Sequence, residues 1–80
     1  MVEINVVMPK LGLTMRSGTI VEWLKKEGDM VRKDEALATI ETGKISGEIR
    51  SPDDGVLKKI LRKSGEEVPV GEIVAVIEKE

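Results

Sequence analysis

Between Ala36 and Arg50, apolar and polar residues alternate with a period of two on either side of a short polar break. Ala36, Ala38 and Ile40 interleave with Leu37, Thr39 and Glu41, and Ile45, Gly47 and Ile49 interleave with Ser46, Glu48 and Arg50. This is the pattern of two half-buried strands. Joined through Gly43 and Lys44 as a two-residue loop, they predict a hairpin in which Thr42 faces Ile45, Ile40 faces Gly47 and Ala38 faces Ile49. The apolar residues then share one face, while Glu41 with Ser46, Thr39 with Glu48 and Leu37 with Arg50 share the other. A register one residue longer sets Ile40 against Glu48 and mixes the faces, which sheet packing penalises. A type II′ turn needs positive φ at its first central position, so Gly43 suits it there, with Lys44 second. Lys44 is thereby expected at an exposed apex, where it serves as a solubility residue or as an attachment point.

The alternation belongs to a larger repeat. Residues Gly18 to Glu41, set against Gly55 to Glu78 at an offset of 37, share nine identities in twenty-four positions without a gap, among them Gly28/Gly65, Val31/Val68, Ala38/Ala75 and Ile40/Ile77. The start of each copy fits an offset of 43, which aligns Val2, Val6 and Pro9 with Ile45, Ile49 and Pro52. The first copy therefore carries six additional residues within Lys10 to Ser17, an enlarged loop. Each copy reads as a strand (Thr19 to Lys25; Val56 to Arg62), a turn at Gly28-Asp29 or Gly65-Glu66, a short strand around Val31 or Val68, a turn near Asp34 or Gly71, and a closing strand. Two such units, each too small to bury its own apolar face, are expected to pack as one all-β sandwich with pseudo-twofold symmetry, a single domain over residues 1–80. The same offsets pair Gly43 with Glu80 and Lys44 with Met1. Both chain ends are thus expected at the pole opposite Lys44.

Composition narrows the chemistry. Ten Val and eight Ile dominate the apolar set and Trp23 is the sole aromatic, which favours short strands over helix. Thirteen basic and fifteen acidic residues are interspersed, giving a formal net charge of -2, and no strong field is available to attract nucleic acid or a membrane surface. With neither His nor Cys, the usual base, nucleophile and transition-metal ligands are missing, so a self-contained enzyme is not expected. The absence of cysteine and of a long apolar segment points to a reducing interior: the cytoplasm, or the mitochondrial matrix or plastid stroma of a eukaryote.

Several motifs follow in a fixed order: Met8-Pro9-Lys10-Leu11-Gly12-Leu13-Thr14-Met15, Gly18-Thr19-Ile20-Val21-Glu22-Trp23, Glu27-Gly28-Asp29-Met30-Val31, Ile40-Glu41-Thr42-Gly43-Lys44 and Val68-Pro69-Val70-Gly71. Across essentially the whole chain they resemble the lipoyl domain of 2-oxo acid dehydrogenase acyltransferases, within the biotinyl/lipoyl attachment family. The resemblance implies a flattened β-barrel of two four-stranded antiparallel sheets, with lipoate in amide linkage to Lys44. It implies a lipoate ligase as modifying enzyme. It further implies a non-catalytic, monomeric domain whose swinging arm is acylated by a thiamine-diphosphate 2-oxo acid decarboxylase, delivers the acyl group to an acyltransferase core and is reoxidised by dihydrolipoamide dehydrogenase. The Met-Pro-Lys-Leu-Gly opening looks like the pyruvate or acetoin type. Glu41, Thr42, Gly43 and Ile45 at the tip, with Leu11, Gly12, Leu13 and Thr14 in the enlarged loop, become candidate recognition residues. For the loop, an equal alternative is that Leu11, Leu13 and Met15 cap the core.

One departure stands out. The family usually has Asp-Lys-Ala or Asp-Lys-Val at the tip, whereas this chain has Gly43-Lys44-Ile45, which removes a carboxylate beside the lysine. Biotinyl carriers of the same architecture usually place methionine on both sides of the modified lysine, and neither neighbour here is methionine. An unmodified barrel-sandwich module is the remaining alternative. The tip is no phosphate loop, since the required upstream glycine is Ala38 and the required hydroxyl residue is Ile45. Lys58, Lys59, Arg62 and Lys63 lack the stacking aromatics of a single-strand-binding barrel, and Asp53-Asp54 and Glu66-Glu67 lack calcium-loop spacing.

Overall fold

A computed structural model describes residues 2–80, which form eight strands and no helix. In chain order these are β1 (Val2–Val7), β2 (Ser17–Trp23), β3 (Met30–Val31), β4 (Ala36–Glu41), β5 (Ser46–Arg50), β6 (Gly55–Ile60), β7 (Glu67–Pro69) and β8 (Ile73–Lys79). They build two four-stranded sheets, β1-β8-β6-β3 and β5-β4-β2-β7, antiparallel throughout. Val6, Leu57, Val74 and Ile77 from the first sheet meet Ile20, Leu37, Ile40 and Ile49 from the second, all essentially inaccessible to solvent. Trp23 packs against this aliphatic core, and its indole N–H donates to the Arg62 carbonyl at 2.8 Å, so the one aromatic also has its polar atom satisfied.

The repeat is realised bond for bond. In β2:β4, Thr19 faces Glu41, Ile20 faces Ile40, Glu22 faces Thr39 and Trp23 faces Ala38. Add 37 to each residue and the result is β6:β8, with Val56 against Glu78, Leu57 against Ile77, Lys59 against Val76 and Ile60 against Ala75. Even the irregularity recurs, since each ladder skips one residue, Val21 or Lys58. A twofold must also exchange partners between halves, and it does: Gly28 N–H donates to Leu57 O at 2.7 Å while Gly65 N–H donates to Ile20 O at 2.6 Å. Gly28 and Gly65 both have positive φ, as expected of their turns. The second predicted turn of each copy pairs Gly71, at φ +91°, with Asp34, a non-glycine residue at φ +70°.

Two expectations about the strands are corrected. The strands predicted from Thr19 and Val56 run from Ser17 to Trp23 and from Gly55 to Ile60, because beyond Trp23 and Ile60 the regular ladder gives way to bonds on one carbonyl each, Leu24 N–H to Leu37 O, and Leu61 and Arg62 N–H both to Val74 O. Leu37 also does not face Arg50. A bulge places Ala36 opposite Arg50 and leaves Leu37 as the extra residue, so that Leu37 and Ala38 are both buried although adjacent. Val74 and Ala75 repeat this arrangement in the other sheet, where the β1:β8 register shifts at the same point.

The symmetry sets the poles. Val2 pairs with Lys79 at one end of the first sheet, the counterpart of Ile45 beside Thr42 at the hairpin tip. Met1, the predicted counterpart of Lys44, lies outside the described residues.

Candidate functional site

The β4–β5 hairpin has the predicted register from the tip down to Ala38: Glu41 faces Ser46, Ile40 faces Gly47, Thr39 faces Glu48 and Ala38 faces Ile49. Its turn differs from the expectation. Gly43 is not in the left-handed region, which among glycines holds only Gly28, Gly65 and Gly71, so the turn is not type II′. The Thr42 hydroxyl supplies what the primed turn does elsewhere. Thr42 N–H donates to Ile45 O at 2.7 Å, while the Thr42 Oγ1 accepts the N–H groups of Ile45 at 3.0 Å and Lys44 at 3.2 Å. The hydroxyl in turn donates to Ile45 O at 3.4 Å. A side-chain oxygen thus closes the loop, a substitution open to Ser, Thr, Asn and Asp. Lys44 is exposed at the apex, and among the described residues its ammonium has no hydrogen-bond or ion-pair partner.

The enlarged loop folds down beside this tip. Leu11 lies over Gly47 so closely that a Cβ there would meet its methyl groups at 2.8 and 2.9 Å, and the Ile45 Cδ1 lies 3.2 Å from where a Cβ on Gly12 would be. These reciprocal contacts, each an aliphatic side chain on a glycine, join loop to hairpin. The loop is braced internally by Leu11 N–H on the Met15 sulfur at 3.1 Å and Met15 N–H on Gly12 O at 3.2 Å. Its far end is tied to the segment after β7 by Val70 N–H on Arg16 O, and Ser17 Oγ donates to Glu67 at 2.7 Å. Between loop and tip lies a cleft of about 290 Å³ lined by Gly12, Thr14, Met15, Arg16, Ser17, Thr42, Lys44 and Ile45. A larger groove of about 610 Å³, bordered by Met30, Val31, Gly55 and Val56, lies among residues that hold none of the candidates.

All the predicted site residues converge on this pole, in different roles. Leu11 and Met15 pack against the core, whereas Leu13 is 94% exposed, so capping and exposed readings each hold for part of the loop. Thr14 and Glu41 are exposed, and the Glu41 carboxylate has no partner among the described residues. Gly43 is open, with nothing within 4 Å of a Cβ placed on it. Arg16, Ser17 and Gly47 were not among the candidates. Gly47 carried a usable signal, a glycine inside a strand where another chain segment approaches closely.

Comparison with known proteins gives the family. The Biotin_lipoyl family model, described as "Biotin-requiring enzyme", matches residues 4–77. The chain belongs to the biotin/lipoyl attachment family. Within it, the relatives are lipoyl-bearing. The chain is 45% identical over 78 residues to the dihydrolipoyllysine-residue acetyltransferase component of the pyruvate dehydrogenase complex of Rickettsia prowazekii, covering 96% of this chain and 19% of that protein. It is 47% identical over 74 residues to the corresponding component of the acetoin cleaving system of Bacillus subtilis, covering 92% and 19%. To the succinyltransferase component of the 2-oxoglutarate dehydrogenase complex of Rickettsia bellii it is 44% identical over 69 residues, covering 86% and 17%. The chain thus spans about a fifth of the length of these relatives. Its fold matches the solution structure of the lipoyl domain of the 2-oxoglutarate dehydrogenase complex from Azotobacter vinelandii, with a TM-score of 0.70 and 29% identity over 92% of this chain and 96% of that one. Lipoyl domains carry lipoate covalently on a lysine, and the all-β sandwich found here is their architecture.

Proposed function

We propose that Lys44 is the lysine that carries lipoate, and that the chain is the non-catalytic carrier domain of a dihydrolipoamide acyltransferase. The observation that carries this reading is the placement of Lys44: exposed, and without a side-chain partner among the described residues, at the apex of a turn whose backbone is held by Thr42. An open Gly43 beside it leaves the amine unobstructed to a lipoate ligase. In the attachment step the neutral ε-amine attacks the carbonyl of an activated lipoyl adenylate; the amide C–N bond forms, the acyl–phosphate bond breaks, AMP leaves and the amine loses a proton. The dithiolane, when attached, supplies the acyl-accepting and electron-accepting chemistry. This chain supplies a stiff hairpin that presents the arm and a loop fixed beside it for recognition.

The partners proposed are a lipoate ligase, a thiamine-diphosphate 2-oxo acid decarboxylase, an acyltransferase core and a dihydrolipoamide dehydrogenase, among which tethering raises the arm's effective concentration. The pyruvate or acetoin type is favoured by the Met8-to-Gly12 opening. The working state is a monomeric domain in the cytoplasm, or in the matrix or stroma of a eukaryotic cell, with no role for nucleic acid or membrane.

Intact-mass measurement tests the reading. After separate incubations with lipoate ligase plus lipoate and with biotin ligase plus biotin, the expected result is a lipoyl adduct that peptide mapping assigns to Lys44 and that is lost in Lys44→Arg. A biotin adduct alone would make the chain a biotinyl carrier. No adduct on the folded chain from several ligases would refute modification.

A further inference from the structure

We infer that Thr42 is a positioning residue for modification of Lys44, acting through the turn backbone and not by touching the modifying enzyme. The inference rests on Lys44 being the modified residue. A threonine hydroxyl has one proton to donate and two lone pairs to accept with. Here both lone pairs are engaged inside the turn, taking the N–H groups of Lys44 and Ile45, and the proton's acceptor within the turn, Ile45 O, stands at 3.4 Å. The accepting capacity of Oγ1 is thus spent within the turn, although the residue stands at the tip where recognition is expected.

The need for such a device follows from the sequence on either side. A two-residue hairpin ordinarily matches the twist of its strands by placing glycine or asparagine at positive φ. Gly43 is available for that role and does not take it. The most permissive residue in the tip therefore contributes no restraint, and its flank is open to solvent. Among the described residues, the backbone N–H of Lys44 has no bond other than the one to Thr42. If that hydroxyl is removed, two N–H groups turn to water and the lysine's point of departure from the hairpin becomes variable. A modifying enzyme that reads a β-turn then meets its competent form in only a fraction of molecules, and modification slows by that fraction.

The side chain's acceptor is the property that matters, which separates the variants. Thr42→Ser keeps the hydroxyl, Thr42→Asn offers a carbonyl oxygen that caps turns in the same way, and Thr42→Val keeps the shape but has no acceptor. With lipoate ligase and lipoate, kcat/KM for modification is expected to stay within about threefold of the wild type for Ser and Asn and to fall about tenfold for Val, the size set by losing hydrogen bonds of ordinary strength. Amide hydrogen exchange, read on the unmodified chains, is expected to quicken by a similar factor at Lys44 and Ile45 in Thr42→Val alone, while strand amides such as Ile40 are unmoved. A purely structural role would lower the melting temperature without separating Val from Ser and Asn in modification rate. Thr42→Val modified at the wild-type rate, or Ser and Asn as slow as Val, would overturn the inference. A wild-type chain that takes no lipoate would instead overturn the reading of Lys44, a failure visible before any variant is compared.

Discussion

The position of the enlarged loop relative to Lys44 depends on a hydrogen atom at Gly47, and Gly47→Ala tests that dependence. A Cβ at this position would stand 2.8 and 2.9 Å from the Leu11 methyl carbons and 3.4 Å from its Cγ. Carbon atoms rest at about 3.5–4.0 Å, so Leu11 must retreat by roughly 0.7 Å or more. The side chain has little room to turn aside because Leu11 packs against the core, and its backbone is bonded to the Met15 sulfur and Met15 in turn to Gly12. Displacing Leu11 thus drags Gly12 away from Ile45, the residue next to Lys44. Overpacking of this kind costs about 1–3 kcal/mol. Leu11 is only partly buried, which places the cost near the lower end, about 1–1.5 kcal/mol, and for a domain of this size lowers the melting temperature by roughly 4–12 °C. Thermal unfolding followed by circular dichroism measures the loss, and amide chemical shifts of residues 10–17 and 44–47 locate it. The double variant Leu11→Ala/Gly47→Ala should cost less than the sum of the singles, since the clash is removed with the larger partner. Additive losses, or a Gly47→Ala chain with wild-type stability and unmoved loop shifts, would show that the Leu11 contact does not hold the loop.

Gly43→Asp restores the carboxylate usual in the family, and because Gly43 lies outside the left-handed region with open space around it, stability should change by no more than about 0.5 kcal/mol; reductive acylation by a partner decarboxylase should quicken if that carboxylate is read, and a large fall in the urea midpoint would contradict the turn geometry. At the symmetry-related turns, Gly71→Val should destabilise by about 1–2 kcal/mol through backbone strain alone, while Asp34→Gly, which relieves φ +70° at an entropic cost, should be within about 0.5 kcal/mol of neutral; equal effects in denaturant titrations would sink the argument. Hydrogen bonds from Lys25, Lys58 and Lys79 hold the carboxyls of Glu35, Glu3 and Asp53 below their ordinary values, and the same pairings raise Lys25 and Lys58. Carboxylates lowered in the folded state stabilise above their unfolded values and lose that contribution as pH falls through the folded ones, whereas the raised lysines lose theirs only as pH climbs past about 10.4. With no histidine to titrate, the melting temperature should be flat from about pH 5 to 9 and fall below about pH 4, less steeply in Glu35→Gln; a step near pH 6.5 would refute this.

What the sequence made legible was whatever repeats or alternates. The offset of 37 carried the order of strands and turns and the pseudo-twofold, because two similar segments that cannot fold alone have one economical way to cover each other's apolar face. Leu37 was misplaced because a period of two has no means of announcing a bulge, and only the paired ladders reveal that Leu37 and Val74 are supernumerary. The turn type was misread for a related reason. Glycine's positive φ is a permission, and the neighbouring threonine hydroxyl made it unnecessary. The loop was divided evenly between packing and exposure in the sequence, and its residues are divided likewise in space, Leu11 inward and Leu13 outward.

The asymmetry within the repeat makes the two poles different, and on the proposed reading of Lys44 it bears on recognition. In the second copy the connection corresponding to the enlarged loop is the short Ser51–Asp54 turn, and next to it Met30, Val31, Gly55 and Val56 border an open groove. In the first copy six additional residues bring Leu11 and Met15 down beside the hairpin, where Gly47 and Gly12 admit them. A hairpin tip standing alone offers a partner a lysine and little else, since short exposed turns are alike from one protein to the next. A loop held beside it by side chain on glycine adds a second surface, with exposed Leu13 and Thr14, next to the hairpin backbone. Recognition can then depend on two elements at once, and their spacing is set by contacts that neither element makes with the partner.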